Sequence, residues 1–446
     1  MNFNCNNYSR RDFIRLSSAF AVTAVVPKIS VASQKSKTNI ILIMADDIGF
    51  ECFGCYGSKM YSTPNLDKLA ADGIRFTHCY AQPLCTPSRV KLMTGKSNIR
   101  NYVDFSVLDK SQQTFGQMLK TVGYKTCIAG KWQLFGAEHY PKEVRGTGTL
   151  PEDAGFDTHC LWQVEKLGER YWGPYLRIDG IHKQFPKESY GPDVCTNHIV
   201  DFIEKNSFKP FFVYYPMILV HNPFPVTPDS KDPKCKDKQK NFADMVNYMD
   251  KLIGKIIDTV KSQNIQDNTL IMFVGDNGTN TSIISKLGNL TIQGAKSKTT
   301  DYGTRVPLIA NMLDAKGAVV CDDLVDMSDF MPTIAEATGM KLPDNVKIDG
   351  QSFFPQLKGQ KGNPRDAIFM YYNPRPVAKP NQESSFARDK RWKLYSDGKL
   401  YDIKNDVMEK SPITVDKDTQ ETKTIRRKLQ DIINSMPAKP QMIRKK

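Results

Sequence analysis

The sequence predicts an α/β fold: a large, mostly parallel central sheet flanked by helices, then a small C-terminal subdomain with a short antiparallel sheet and a packed helix. Three observations point there. From Asn39 onward, short apolar runs alternate with amphipathic helical patterns, the order expected of parallel strands joined by crossover helices. The 446 residues include 40% hydrophobic and 25% charged residues, ordinary globular values that supply a sizeable core without disulfide staples. Two segments rich in Gly, Pro and Lys, Leu357–Arg365 and Asn373–Gln382, mark a boundary near residue 360. The predicted organisation is a leader over 1–33, a main domain over 36–360 and a subdomain over 361–446.

Strands are expected at Asn39–Met44, Lys125–Ala129, Pro210–Tyr215, Thr269–Val274 and Val306–Asn311, each a short apolar run. Between them the apolar spacing predicts helices at Asn65–Asp72, Phe115–Val122, Pro192–Lys205 and Asn241–Lys261. Past the boundary, Ser385–Leu394 and Lys399–Ile403 read as short strands around the turn Ser396-Asp397-Gly398. Asp416–Met436 reads as a polar helix packed on them.

The leader has its own pattern. Ser9-Arg10-Arg11-Asp12-Phe13 precedes the apolar run Leu16–Val26 and the small residues of Val31-Ala32-Ser33. A basic region, a short apolar stretch and small residues make an export signal of the twin-arginine type. The run is too short to cross a bilayer of roughly 30 Å. The mature protein is therefore expected in the periplasm or outside the cell, with no stable membrane span.

The formal charge is +14, which favours anionic partners without choosing among them. No zinc finger, RNA-recognition motif or interleaved aromatic-basic stripe appears, so nucleic acid is not expected. The ten cysteines are irregularly spaced. Cys52-Phe53-Gly54-Cys55 is a lone pair, and a structural zinc site wants two such pairs or added histidines.

The chemistry begins at two strand ends of matching design. Asn39–Met44 runs into Ala45-Asp46-Asp47, and Thr269–Val274 runs into Gly275-Asp276-Asn277-Gly278. Carboxyl ends of parallel strands share one edge of a sheet, where sites form. If these two strands are neighbours, three carboxylates and an amide oxygen converge and need a cation among them. An all-oxygen set suits a hard divalent ion, calcium or magnesium. If the strands are apart, the same residues are helix caps or turn residues.

Cys85-Thr86-Pro87-Ser88-Arg89 opens a helical run after the loop Gln82-Pro83-Leu84. A cysteine there feels the positive end of the helix dipole and a nearby arginine, both of which favour the thiolate. From these residues alone, a reactive cysteine and a buried structural thiol both remain open.

Cys-Thr-Pro-Ser-Arg resembles the C-x-P-x-R core of the type I sulfatases, the formylglycine-dependent branch of the alkaline phosphatase superfamily, including the exported arylsulfatase A-like enzymes of bacteria. The similarity runs along nearly the whole mature chain, in order. Asn39–Met44 with Asp46-Asp47 resembles the opening metal strand. Thr63-Pro64-Asn65-Leu66-Asp67 and the run from Gly73 to Phe76 resemble the approach to the nucleophile. Gly130-Lys131-Trp132, Pro210-Phe211-Phe212 leading to His221-Asn222-Pro223, and Asp276-Asn277-Gly278 fall where the family has its blocks. So do Gly294-Ala295-Lys296 leading to Arg305-Val306-Pro307, and, in the C-terminal subdomain, Trp392-Lys393-Leu394 and Leu400-Tyr401-Asp402.

The resemblance implies an alkaline phosphatase-like fold with a catalytic domain over 36–360. It also implies a sulfuric ester hydrolase whose Cys85 is oxidised to formylglycine by a maturation enzyme. Asp46, Asp47, Asp276 and Asn277, with residue 85, would hold one calcium. Arg89 would steady the hydrated aldehyde, while Lys131, His221 and Lys296 would bind the sulfate and the leaving oxygen. Such cations suit a transition state that spreads negative charge over equatorial oxygens. His221 is the expected acid for the leaving alcohol, because an unperturbed imidazole has a pKa of roughly 6.5.

Two positions depart from the family pattern. After Gly130-Lys131-Trp132 the family usually has histidine, but this chain has Gln133, which cannot accept a proton near neutral pH. Gln133 is expected to orient the hydrate only. Asp301-Tyr302-Gly303 stands where Glu-Gly-Gly is usual and is expected to reshape a loop near Lys296. The expected substrate is a sulfated saccharide, recognised by loops within Glu138–Tyr190 and Asn373–Arg388. The alternatives are a phosphodiesterase or phosphonate hydrolase on the same fold, or a silent glycan binder with Cys85 unmodified.

Overall fold

A run such as Ile40-Ile41-Leu42-Ile43-Met44 has no polar face, so as a strand it must be covered on both sides. In the computed structural model, which describes residues 37–312, 317–379 and 382–442, it lies within β1 (Asn39–Ala45), every residue of which is buried. Ile40, Leu42 and Met44 enter one core and Ile41, Ile43 and Ala45 another, the two-residue alternation of a strand. The expected export signal and the basic end Arg444–Lys446 lie outside the described residues.

In chain order there follow β2 (Ile74–Tyr80), β3 (Lys125–Lys131), β4 (Thr158–Trp162), β5 (Tyr175–Ile178), β6 (Ile181–Gln184), β7 (Phe211–Pro216) and β8 (Thr269–Gly275). A separate hairpin, β9 (Ile284–Leu287) and β10 (Leu290–Gln293), precedes β11 (Arg305–Asn311) and β12 (Val319–Asp326). Ten of these strands form one sheet in the order β12-β2-β11-β8-β1-β7-β3-β4-β5-β6. Within it, β5 and β11 run against the rest. The mostly parallel sheet is therefore as expected, while β11 enters it antiparallel. Strands β2, β4, β5, β6 and β12 were not among those the periodicity picked out; several carry polar or charged residues that break the apolar run.

Helices α1 (Pro64–Ala71), α2 (Cys85–Thr94), α3 (Phe115–Thr121), α4 (Gly191–Asn206), α5 (Lys238–Ser262) and α6 (Phe330–Thr338) cover the sheet. Apolar residues of α1, α4 and α5 share the core of Ile41, and those of α2, α3 and α6 share the core of Ile40. All ten residues of α2 are buried, polar ones included, so its charged side chains must find partners inside the protein. It ends at Gly95, whose φ of +65° is the left-handed cap that glycine adopts without strain.

The C-terminal sheet is antiparallel: β13 (Ile368–Tyr372), β14 (Ser384–Arg388), β15 (Trp392–Tyr395) and β16 (Leu400–Asp402). Helix α7 (Gln420–Asn434) packs Leu429 against Ala387, Trp392, Leu394 and Leu400. The single strand expected over Ser385–Leu394 is two strands. Asp389 Oδ1 accepts from the backbone N–H groups of Arg391 and Trp392 and closes a turn between them. Among the described residues no helix is long and apolar enough to cross a membrane.

Candidate active site

Strands β1 and β8 are parallel neighbours in register from Asn39 opposite Thr269 to Ala45 opposite Gly275. Both therefore end at the same level, and their acidic ends meet. The backbone N–H of Asp276 donates to Ala45 O at 3.0 Å. That of Asp47 donates to Asp276 Oδ1 at 3.0 Å, and Asn277 Nδ2 donates to Asp47 Oδ1 at 2.9 Å. All four side chains are fully buried.

The cations reach the cluster from three elements. Lys131, the last residue of β3, donates from Nζ to Asp46 Oδ2 at 2.7 Å and lies 3.5 Å from Cys85 Sγ. Lys296 Nζ, from the loop after β10, donates to Asp47 Oδ2 at 2.5 Å and lies 3.1 Å from His221 Nε2. Cys85 and Arg89 stand one turn apart on α2, hence on one face. Arg89 donates to Asp276 Oδ2 at 3.1 Å and to Lys131 O at 2.8 Å, with Asp46 Oδ2 at 3.6 Å. In this arrangement Arg89 braces the carboxylates rather than Cys85. Every residue expected at the site is brought together.

The electrostatics follow from burial set against these neighbours. Burial raises the cost of charge on Asp46, but Lys131, His221 and Arg89 outweigh it and hold the carboxyl far below its usual range. Asp47 is lowered likewise, with His221 and Lys296 overcoming burial. Asp276 goes the other way, pushed up to about 8 by burial and by the charges of Asp46 and Asp47, against Arg89. Three carboxylates in one dry pocket are too many for the local cations alone.

The Cys85 thiol is pushed up by burial, against Lys131. This corrects the thiolate expected from the helix dipole and Arg89, since the helix end is itself out of water. A second correction concerns His221. Burial pushes its imidazole down to about 4, so the ordinary pKa on which an acid role rested does not hold.

Two buried oxygens of this cluster make no hydrogen bond: Asp46 Oδ1 and Asn277 Oδ1. Unpartnered buried acceptors are costly unless a ligand uses them. Ligand atoms of Asp46, Cys85 and Asp276 lie within 4.8 Å of one another, as do those of Asp46, Asp47 and His221. Oxygen donors, two of them open, fit a hard divalent cation beside residue 85. Cys52 and Cys55 join no such group; Cys52 Sγ instead lies 3.5 Å from Thr279 Oγ1.

Gln133 holds an unexpected position. Cys85 Sγ donates to its Oε1 at 3.1 Å, while its Nε2 donates to Tyr140 Oη at 3.3 Å. Gln163 Nε2 donates to the same hydroxyl at 2.7 Å. The two glutamines follow the adjacent parallel strands β3 and β4, their φ angles are +51° and +58°, and the N–H of one bonds the C=O of the other. Positive φ is uncommon outside glycine. This clamp on Tyr140 was missed in the sequence, although the repeated Trp-Gln pair (132–133 and 162–163) was a signal for it.

Asp301, expected to reshape the loop near Lys296, is tied to the C-terminal sheet. It does not line the cleft; buried, it pairs with Arg388 of β14 and lies 3.7 Å from Arg305. With Lys393 Nζ donating to Thr299 O at 2.5 Å, it ties the Lys296 loop to the C-terminal sheet. Above Cys85, His221 and Lys296 opens a cleft of 1140 Å³. Its lining includes His139, Tyr140, Trp162 and Arg170, and Arg375 and Lys379, from the two stretches expected to carry recognition, with Tyr372 just before the second.

Comparison with known proteins agrees with this geometry. A family model described as Sulfatase matches residues 38–340, and one described as N-sulphoglucosamine sulphohydrolase, C-terminal, matches residues 296–437. An arylsulfatase of Hemicentrotus pulcherrimus is 29% identical over 75% of this chain, and the match spans 64% of that relative's length. Arylsulfatase A of Homo sapiens is 29% identical over 75% of this chain and 70% of its own. Among solved structures, Ps i-CgsB superposes with a TM-score of 0.73 at 25% identity, covering 90% of this chain and 92% of that one. Ps i-CgsB has also been solved in complex with k-i-k-neocarrahexaose.

Proposed function

The chain belongs to the sulfatase family, and from that premise we propose that it hydrolyses sulfate esters of a saccharide, with formylglycine made from Cys85 and one bound calcium. The observation that carries the reading is the pair of open oxygens, Asp46 Oδ1 and Asn277 Oδ1, in an acidic pocket beside residue 85 and ringed by Arg89, Lys131 and Lys296. The complex of Ps i-CgsB with k-i-k-neocarrahexaose supports a carbohydrate substrate. Asp46, Asp47, Asp276 and Asn277 would hold the calcium, which supplies a Lewis acid for a sulfate oxygen and for the nucleophile. Formylglycine, as its hydrate, supplies the nucleophilic hydroxyl.

The chain's own residues do the rest. Lys131 sits between Asp46 and residue 85, and Lys296 between Asp47 and the cleft, so they are placed to bind sulfate oxygens as negative charge builds. Arg89 holds Asp276 and Asp46 in place. Gln133 faces residue 85 with its carbonyl and accepts a hydrogen bond from it, which fixes an orientation but receives no proton. Neutral His221, with Nε2 toward Lys296, orients that lysine near the leaving oxygen. The paired arginines of the leader support export to the periplasm or beyond.

Peptide mass spectrometry after co-expression with a maturation enzyme tests the first step, and parallel assays with nitrophenyl sulfate and nitrophenyl phosphate test the second. The expected result is conversion at Cys85, turnover of the sulfate ester, and loss of that turnover in Cys85→Ala. An intact thiol, or a large preference for phosphate, overturns the reading.

A further inference from the structure

The cleft carries more positive charge than cleavage of one sulfate ester requires. No aspartate or glutamate is among its lining residues. Lys296 is bonded to Asp47, but no ion pair among the described residues takes up Arg170, Lys298 or Arg375. Two of these cations are held rigid without neutralisation. The Arg375 guanidinium lies 4.1 Å from the ring centre of Phe105, and that of Arg170 lies 4.5 Å from the ring centre of Trp162, with one amino group bonded to Asn222 O. Stacking on an aromatic face fixes the plane of the fork and leaves its edge free for a planar or tetrahedral anion.

The loop that carries Arg375 is fastened to the body of the protein. Tyr102 Oη donates to Pro374 O at 2.7 Å, and Asp104 Oδ2 accepts from Val377 N at 2.9 Å. An arginine that is unpaired, stacked and anchored on a cleft wall contributes no ion pair to stability. It raises the local concentration of anions and orders one that fits.

We propose that Arg375, in the cleft that Arg170 also lines, forms a second anion subsite, which takes a sulfate or carboxylate on the saccharide other than the sulfate being cleaved. The inference rests on the saccharide sulfatase reading and narrows it: the substrate carries at least two anionic groups.

The test reads binding in the Cys85→Ala protein, where no turnover occurs, so it stands apart from the assays of hydrolysis. Calorimetry compares a disulfated disaccharide with its monosulfated counterpart. The expected preference for the disulfated sugar is about 10–100-fold, the worth of one charge-assisted bidentate contact. Adding Arg375→Ala is expected to collapse that preference to about twofold or less, and Arg375→Lys to leave an intermediate value, as a point charge does beside a fork. Thermal melting of each variant separates a folding defect from a binding one. Equal affinity for the two sugars, or a preference that survives in folded Arg375→Ala, overturns the proposal.

Discussion

Two buried charge clusters lie at the carboxyl edge of the large sheet, and they are built to opposite ends. At β12, Asp326 accepts from Lys91 Nζ at 2.6 Å and from the N–H and hydroxyl of Ser328. Asp329 accepts from both ends of Arg365, from Gln351 N and from Asp326 N. None of these carboxylate oxygens is left unpartnered. At β1 and β8, Asp46 Oδ1 and Asn277 Oδ1 stay open, and Asp276 is pushed up to about 8 by burial and its acidic neighbours. The same helix serves both clusters: Arg89 faces the open one and Lys91, two residues on and so on another face, the closed one. Buried charge alone therefore does not mark a site. An incomplete shell among converging acidic groups does.

The strongest way to break this comparison is to change an open oxygen. Asp46→Asn keeps the shape of the side chain but removes its charge. Turnover of nitrophenyl sulfate is expected to fall by about 10³ or more, a typical cost for removing one electrostatic group at a transition state. Calcium is expected to raise the melting temperature of the wild-type protein, and that rise should vanish in the variant. A variant within tenfold of wild type, still stabilised by calcium, would show that the open oxygen has no ligand.

The closed cluster should answer in stability instead. Lys91→Ala leaves Asp326 buried without its cation, a loss of about 3–5 kcal/mol for a broken buried pair. Denaturant unfolding measures it, and turnover per folded molecule should stay within a few-fold of wild type. Intact stability with lost turnover would reverse the two assignments.

A third buried group sharpens the comparison through pH. His159 Nε2 lies 2.7 Å from Arg177 and accepts from Gly180 N at 3.1 Å, while burial and Arg177 push its imidazole down to about 4. Between the ordinary value near 6.5 and about 4 the unfolded chain takes up a proton that the folded protein refuses. Stability is thus expected to fall as pH drops through that window, by about 3 kcal/mol at most for one such group. His159→Gln should flatten the slope of melting temperature against pH by about one proton, and an unchanged slope would remove His159 from the account.

Much of this was legible along the chain. Apolar runs with no polar face fixed β1, β3, β7 and β8 to within two residues, and the spacing of α1, α3, α4 and α5 did nearly as well. Strands that carry charge escaped. Arg75 and His78 in β2, and Asp322 and Asp323 in β12, interrupt the apolar pattern but meet partners or solvent at the sheet's edge. At the site the residue types and their order were readable, because Asp46-Asp47, Asp276-Asn277 and Cys85 to Arg89 are local motifs at element ends.

Which groups those residues touch was decided only by folding. Pairing of β1 with β8 joins carboxylates 230 residues apart, and this pairing turns possible caps into one converging acidic cluster. Burial raises the Cys85 thiol and lowers the His221 imidazole, reversing what the helix dipole and the ordinary imidazole value suggested, since desolvation depends on everything packed around a group. Asp301 on Arg388 and Arg375 on Phe105 are contacts across distant segments that no local pattern encodes, and the clamp on Tyr140 left only the repeated Trp-Gln pair as a trace. Sequence determines what each element end carries; the register and stacking of the sheet determine what it meets.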